Sequence, residues 1–409
     1  MIKLFRVRRR FVPDTEWPSC RTQEVAWQQT QRQGTKEDRM LKAIDVSLPP
    51  MIADLDIRLS SELVTAMEDA ARDITVLDNS HSDDLQALSS LLLRTESVAS
   101  SKIEYVEASV ADFARALHGI KSNPSAVSMV AATTALQAMV EGVQKSGNIT
   151  LESLTTAHEA LMRDDLDERR YAGVLRDVQN WIGGSDFSPR GALYIPPPPD
   201  TLAEYMGDLI AFSNRDDLPV LAQAAIAHAQ FESIHPFTDG NGRIGRSLVN
   251  TILRRRGATT MVVVPIASAL VARRDRYFDL LGQYRDGHAE PIISAFANAS
   301  QIAARESQST AKRISEIPGE WADIVGRVRR GSAIHQLLGR LVANPVVTTD
   351  EASTLVSAPV SSVYTAIERL AEVSILVPLT DRKRGQVWGA SAILHELDDL
   401  NTRIGIAAR

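Results

Sequence analysis

Hydrophobic and polar positions recur along this chain with the period of helices far more than with the two-residue period of strands. Over 60–78, Leu63, Met67, Ala70, Ala71 and Ile74 return every three or four residues behind Ser60 or Ser61 as a cap. Leu85 to Leu117 predicts a second long helical region. Asn123-Pro124 mark a boundary, and helical patterns follow at about 126–142 and 151–163, broken by Gly142 and Gly147, with Thr150 as cap and Leu151, Leu154, Ala157 and Leu161 on the apolar side. Thr201–Asn214 and Leu218–Ile234 predict two more helices. The alanine-rich AQAAIAHAQFE of the second implies burial on nearly all sides and makes His228 a core histidine. From Asn241 a further run carries Ile244, Leu248, Val249, Ile252 and Leu253, ending at Arg254–Arg256 and Gly257, where basic residues suit the negative end of a helix. MVVVPIASALV predicts a short buried strand or extended segment and then a helix, with helices continuing to about 310 and IPGEW, 317–321, as a boundary.

Two stretches lose periodicity. Residues 1–50 read as irregular, extended segments and turns. Residues 168–200 hold Gly183, Gly184, Pro189, Gly191 and four consecutive prolines, 196–199, which fix an extended conformation; Trp181 and Tyr194 read there as packing residues. The last hundred residues form their own pattern. A helix over 332–345 precedes a short helix capped by Thr349 and running to Val356, a turn at Ser357–Pro359, and a helix Val360–Ala371 with Val363, Ile367 and Leu370 inward. Two strand-prone segments, Ile375–Leu379 and Gln386–Trp388, then flank a basic turn, Asp381–Gly385. This is the pattern of a winged helix-turn-helix.

Composition narrows the class. A chain of 409 residues accommodates two or three domains, and 44% hydrophobic residues is ordinary for a globular protein. A formal charge of -6 argues against attraction of the whole surface to nucleic acid or anionic membrane, leaving only local patches such as Arg382, Lys383 and Arg384. Arg8, Arg9 and Arg10 read as a solvated face. The one cysteine, Cys20, excludes an internal disulfide framework and suits a reducing, cytoplasmic setting. MIKLFRVRRRF is basic without a long apolar core, unlike a signal peptide, and no run approaches 18 apolar residues, so no membrane span or membrane partner is expected. The histidines lack HExxH or other close ligand spacing, so no structural zinc site is expected.

The chemistry concentrates in His235–Arg246, HPFTDGNGRIGR. His235 precedes a proline, which disfavours helix there. Asp239, Gly240, Asn241 and Gly242 crowd a turn that opens the next helix, and first-turn N–H groups without intrahelical partners favour an anion. Arg243 and Arg246 lie three apart on one face, within reach of one phosphate chain. The string GxxxxGK[ST] is absent, so this is no Walker A loop.

At every defining position HPFTDGNGRIGR resembles the Fic signature, HPFx[D/E]GNGRxxR. The resemblance implies a mostly α protein: a Fic-type helical core with a small β-hairpin flap, plus the C-terminal winged helix-turn-helix. The domains would be an N-terminal region, 1–123, with an inhibitory helix at about 86–117; a catalytic core, 124–310, with the flap at about 183–198; and 311–409. It implies transfer of AMP from ATP to a tyrosine, serine or threonine hydroxyl of a target protein, with His235 as general base near neutral pH and Asp239 as the ligand of Mg²⁺. Backbone N–H groups over Gly240 and Gly242, with Asn241, would receive the α-phosphate, Arg243 the β-phosphate and Arg246 the γ-phosphate. Phe237 would pin the loop to the core. Tyr277 and Leu281 are candidates for the adenine wall, or equally core contacts of their helix. Gly242 stands where phosphorylating relatives carry lysine.

Ser100 and Glu104, four apart in RTESVASSKIEYV, resemble the family's inhibitory [S/T]xxxE[G/N]. The resemblance implies that Glu104 pairs with Arg246 and blocks the γ-phosphate position, or orients water for hydrolysis of an AMP–protein bond. Position 105 departs from it: Tyr105 stands where the family has Gly or Asn. The partners implied are ATP, an unnamed target protein, the chain itself through self-modification, and, through 349–388, either DNA or a docking or homodimer contact. The other reading of the whole is a DNA-binding regulator whose core senses nucleotide.

Overall fold

In the computed structural model, residues 17–29, 33–79, 85–120, 123–380 and 385–409 are described. Arg8–Arg10 and the basic residues Arg382–Arg384 lie outside them. The helices in chain order are α1 Lys36–Met40, α2 Ser61–Asp78, α3 Leu85–Ile103, α4 Val110–Leu117, α5 Pro124–Ser146, α6 Leu151–Met162, α7 Leu202–Ser213, α8 Val220–Ile234, α9 Asn241–Arg255, α10 Ile266–Val271, α11 Arg274–Arg285, α12 Glu290–Val325, α13 Ala333–Leu341, α14 Thr349–Leu355, α15 Val360–Glu372 and α16 Ser391–Ala407. The strands are β1 Arg21–Ala26, β2 Ala43–Leu48, β3 Val346–Thr348, β4 Leu376–Pro378 and β5 Val387–Ala390. The fold is mostly helical with small antiparallel sheets. The chain divides into two compact units, and the division falls inside α2, α5 and α12 and after the first residue of α11.

The first unit comprises Met1–Glu68, Ala138–Gly257 and Asp275–Asn298. Its centre is α8, buried from Leu221 to Ile234 as the alanine-rich pattern requires, packed between α7 and α9. Within residues 1–50, read as irregular extended segments and turns, β1 and β2 form an antiparallel pair, Arg21 opposite Leu48 and Ala26 opposite Ala43. The polar sequence RTQEVA, exposed along almost its whole length, carries no alternation to announce a strand. The stretch 180–195 turns back on itself. Ile182 and Tyr194 form a single antiparallel bridge, and Ser185 N–H donates to Arg190 C=O at 3.1 Å. Asp38 holds this hairpin from α1, accepting from Ser188 Oγ at 2.7 Å and Arg190 Nε at 3.2 Å.

The second unit comprises Asp69–Gln137, Ala258–Arg274 and Ala299–Arg409. Asp78 closes α2 onto the following segment by accepting from the backbone N–H groups of Thr260, Met261 and Val262 and from Thr260 Oγ1. The buried Glu96 of α3 accepts from Ala267 N–H at the start of α10. Residues 85–117 are two helices rather than one. α3 stops at Ile103, and Tyr105 takes φ 58°. Val106 N–H donates to Ser101 C=O and Tyr105 N–H to Lys102 C=O, the paired bonds of a Schellman stop with Tyr105 at its left-handed position.

α12 runs through 317–321 to Val325, so neither the end near 310 nor the boundary at IPGEW holds. Pro318 removes one backbone donor, but Ile314, Ile317, Trp321 and Val325 form a buried stripe at helical spacing, and Arg313 pairs with Glu320 across the proline. At the C-terminus β3, β5 and β4 form an antiparallel sheet in that order, with α14 and α15 between β3 and β4. The cap of α14 is Thr348 rather than Thr349, in a reciprocal box with Glu351. β3 and α16 are further elements of this region.

One expectation about membranes changes. α5 is long and apolar enough, at mean hydropathy 1.3, to cross a membrane by length and composition. Interspersed Ser, Thr, Gly and Gln hide this from a count of consecutive apolar residues. Its apolar window is 56% buried inside the protein, as a core helix would be.

Candidate active site

The signature segment spans the end of α8 and the start of α9. His235 closes α8 in the left-handed conformation, φ 49°, ψ 62°, its N–H donating to Phe231 C=O at 2.8 Å. Histidine is among the few side chains that visit this region readily, and the following proline blocks the helical alternative. Gly240 caps α9 at φ 74°, and a Cβ there would stand 2.9 Å from Leu161. Backbone sign and packing therefore both require glycine.

Between these ends the loop is clamped. Phe237 is fully buried and its ring lies flat on His158 of α6, centroids 3.8 Å apart. His158 bonds Asp239 C=O through Nε2 at 3.0 Å and accepts from Gly173 N–H through Nδ1 at 3.0 Å. Burial pushes its pKa down to about 4, so the neutral ring makes both bonds. Asn241 is spent on the loop rather than presented outward. Its Oδ1 accepts from Phe237 N–H and its Nδ2 donates to Phe237 C=O, both at 2.9 Å.

Arg176 was not legible as a functional position. It is buried, and its guanidinium donates to four carbonyls, those of His235 at 2.9 Å, Val178 at 3.1 Å, Pro197 at 2.6 Å and Ile234 at 3.5 Å. Its backbone N–H donates to Pro236 C=O. One cation thus joins the turn after α8 to both ends of the 178–197 hairpin. Burial lowers its pKa to about 10. Asn180 also escaped notice: its Nδ2 lies 2.9 Å from His235 Nδ1 and donates to Phe237 C=O at 2.9 Å. Desolvation, and then the charges of Arg176 and Arg285, push the His235 imidazole down to about 3. His235 is therefore neutral at physiological pH.

Arg243 is buried and reaches Asp239, Nη2 to Oδ2 at 3.4 Å, while the Asp239 side chain is 57% exposed. Arg246 is buried, with Nη1 3.4 Å from Tyr277 Oη, which in turn lies 2.8 Å from Nε2 of His228. Tyr277 thus belongs to the setting of Arg246, and Leu281 is buried on the same helix. Gly242 is half-buried in the first turn of α9. His235, Asp239, Gly240, Asn241, Gly242, Arg243, Arg246, Tyr277 and Leu281 all belong to the first unit. Ser100, buried in α3, and Glu104, half-buried just after it, belong to the second.

The first unit can therefore offer a neutral base, an accessible carboxylate, a helix N-terminus and two buried guanidinium groups from one stretch of 12 residues. Comparison with known proteins agrees with that grouping. Residues 148–253 match the model of the Fic/DOC family. Protein adenylyltransferase Fic of Culex quinquefasciatus is 29% identical over 164 residues, 39% of this chain and 29% of that protein. The protein of the same name from Nematostella vectensis is 30% identical over 164 residues, 39% of this chain and 34% of that protein. The matches thus span about a third or less of those relatives. In fold the chain is similar to a Fic family protein from Desulfovibrio desulfuricans G20, with TM-score 0.54 and 20% identity over 82% of this chain and 97% of that one. The chain thus carries a segment, 148–253, that matches the Fic/DOC family, within a fold similar to that of a Fic family protein.

Proposed function

We propose that this chain is a protein adenylyltransferase that moves AMP from ATP to a tyrosine, serine or threonine hydroxyl. The observation that carries the reading is the neutral, half-buried His235 on the same short turn as Asp239, Arg243 and Arg246. A site that only sensed nucleotide needs the cations but has no use for a base. His235 takes the proton of the incoming hydroxyl, whose oxygen then attacks the α-phosphorus; the bond to the β-phosphate oxygen breaks and pyrophosphate leaves. Arg243 and Arg246 hold the polyphosphate, and their buried guanidinium groups offer fixed multi-donor geometry.

Asp239 fits a divalent cation: it is a hard oxygen donor, largely exposed, with Arg243 beside it at 3.4 Å. Magnesium bound there would neutralise charge on the phosphate oxygens. The main chain of the 182–194 hairpin suits an extended target segment, since backbone pairing accepts many side chains. The test is ATP labelled at the α-phosphate against ATP labelled at the γ-phosphate, with magnesium. Transfer of the α label to protein, with none of the γ label, supports adenylylation. Transfer of the γ label, or of neither, contradicts it.

Restraint of this activity by Glu104 is a second part of the proposal. The motif Ser100–Glu104 supports it, and so does the Schellman stop, which accounts for the family's Gly or Asn after the glutamate. Glu104→Gly raises the transfer rate under this reading, and loss of AMP removal from pre-modified protein in the same variant assigns Glu104 to hydrolysis instead. For residues 349–388, exposed Ser361, Ser362, Tyr364 and Thr365 on α15 support a contact surface of winged helix-turn-helix type. DNA binding that falls steeply with salt identifies it as a nucleic-acid surface; absence of binding at low salt leaves docking or dimerisation.

A further inference from the structure

We propose that Asn180 is a positioning residue for His235: by turning its carboxamide, it decides which ring nitrogen carries the proton and hence whether Nε2 can accept one. The inference rests on the reading of His235 as the base.

His235 Nδ1 faces two carboxamides, Asn180 Nδ2 at 2.9 Å and Asn241 Nδ2 at 3.2 Å. A neutral imidazole has one N–H and one bare lone pair. With both amides donating to Nδ1, that nitrogen is the acceptor and the proton sits on Nε2. The ring then presents a donor at Nε2 and cannot take a hydroxyl proton there. The competent form has its hydrogen on Nδ1, and that hydrogen needs an acceptor.

Only one of the two amides is free to supply it. Asn241 is fixed at both ends by Phe237, through N–H to Oδ1 and Nδ2 to C=O. Turning it would set two donors and two acceptors against each other. The Oδ1 of Asn180, by contrast, is buried with no hydrogen-bond partner among the described residues. A buried acceptor left in that state is destabilising, a standing incentive to find a donor. A half-turn about Cβ–Cγ brings Oδ1 to Nδ1. The turn sets Oδ1 beside Phe237 C=O, one opposed acceptor pair where Asn241 would incur an opposed donor pair as well, and Phe237 C=O keeps the Asn241 donor. The ring's own anchor is untouched, since Arg176 Nε still donates to His235 C=O.

The proton balance is neutral: Nε2–H is released to water and Nδ1 takes a proton from water. The charged groups facing the ring, Arg176 and Arg285, are both cations and disfavour a ring holding both protons. The two neutral forms are therefore the states that exchange. Asn180 sits at the base of the hairpin, two residues before the Ile182–Tyr194 bridge and next to Trp181, whose Nε1 donates to Ser185 C=O at 2.7 Å. The element suited to receive a target is thereby the one that sets the base.

The test compares the full chain with Asn180→Ala and with the near-isosteric Asn180→Asp, using nitrogen-15 NMR of the histidine rings, assigned by His235→Ala, alongside steady-state AMP transfer. The nucleotide-free parent carries its His235 proton on Nε2, and Asn180→Asp, an acceptor only, moves it to Nδ1. Asn180→Ala lowers kcat about 10–100-fold, as loss of an orienting partner does elsewhere, with KM for ATP within about twofold. Asn180→Asp retains most of kcat and moves the acid limb of its pH profile upward, because a carboxylate stabilises the imidazolium. A purely structural role lowers kcat alike in both variants and leaves the limb in place; that result overturns the proposal, as does a His235 ring whose proton stays on Nε2 in Asn180→Asp. If the parent transfers no AMP but Asn180→Asp moves the proton, the functional reading fails and the positioning role stands.

Discussion

At the scale of single residues, the site depends on groups kept neutral or caged by burial. His158, His228 and His235 all have pKa values pushed down by desolvation, to about 4, about 3 and about 3 from an ordinary 6.5. Between those values and 6.5 the unfolded chain binds more protons than the folded one, so stability is fully present above pH 6.5 and is lost as pH falls toward 4. A series of melting temperatures from pH 7.5 to 4.5 should fall steadily, and less steeply in His228→Gln; a flat series contradicts the burial assigned to these rings. Arg176→Met strips four carbonyls of a shared donor, and at about 1–3 kcal/mol per unsatisfied buried group the loss exceeds 2 kcal/mol in denaturant unfolding. A loss under about 0.5 kcal/mol shows that water replaces the guanidinium. The sequence made His235, Asp239, Arg243 and Arg246 legible because their chemistry is packed into one string. Arg176 and Asn180 were not, because an arginine or asparagine in an aperiodic stretch looks like any solvated side chain until the chain folds over it. Asn241 was legible as a site residue but not in its use, which depends on where Phe237 puts its backbone.

At the scale of elements, helices announced themselves by apolar spacing, and the errors fell where another term outweighed it. Pro318 reads as a stop, yet four buried side chains hold α12 through it. β1 is polar along its length and exists because β2 pairs with it. Tyr105 is the sharpest case. It is 80% exposed at φ 58°, a position that costs an ordinary residue about 1–2 kcal/mol, while the Arg274 guanidinium lies over its ring. Tyr105→Gly should raise stability by about 1 kcal/mol if backbone strain outweighs the Arg274 contact, measured by denaturant midpoint; a decrease shows that the stacking is worth more than the strain. The hairpin after residue 180 is held by Asp38, whose pKa is lowered chiefly by the bond from Ser188. Asp38→Ala should speed amide hydrogen exchange at 185–192 while leaving α8 protected. Unchanged exchange would mean that Trp27 on Trp181, edge to face, and Ser47 N–H on Ile195 C=O suffice to hold it.

At the scale of the whole molecule, each unit is assembled from distant parts of the sequence, which no local pattern reveals. Ala114, Val346 and Val387 share a core cluster joined by Ile120, and His118 Nδ1 lies 2.9 Å from Glu351. A fragment starting at Thr310 cuts α12 and leaves that partner helix behind, so it should unfold at lower denaturant than the full chain's second unit; an equal midpoint would show a C-terminal region that folds independently. The central claim concerns what the first unit does with a nucleotide. His235→Ala removes a proton acceptor and no proposed phosphate contact. The measurement is its AMP-transfer rate from ATP and magnesium, paired with its ATP affinity by calorimetry. The account predicts a rate about 10²–10⁴-fold below the parent with affinity nearly unchanged; transfer near the parent's rate contradicts it.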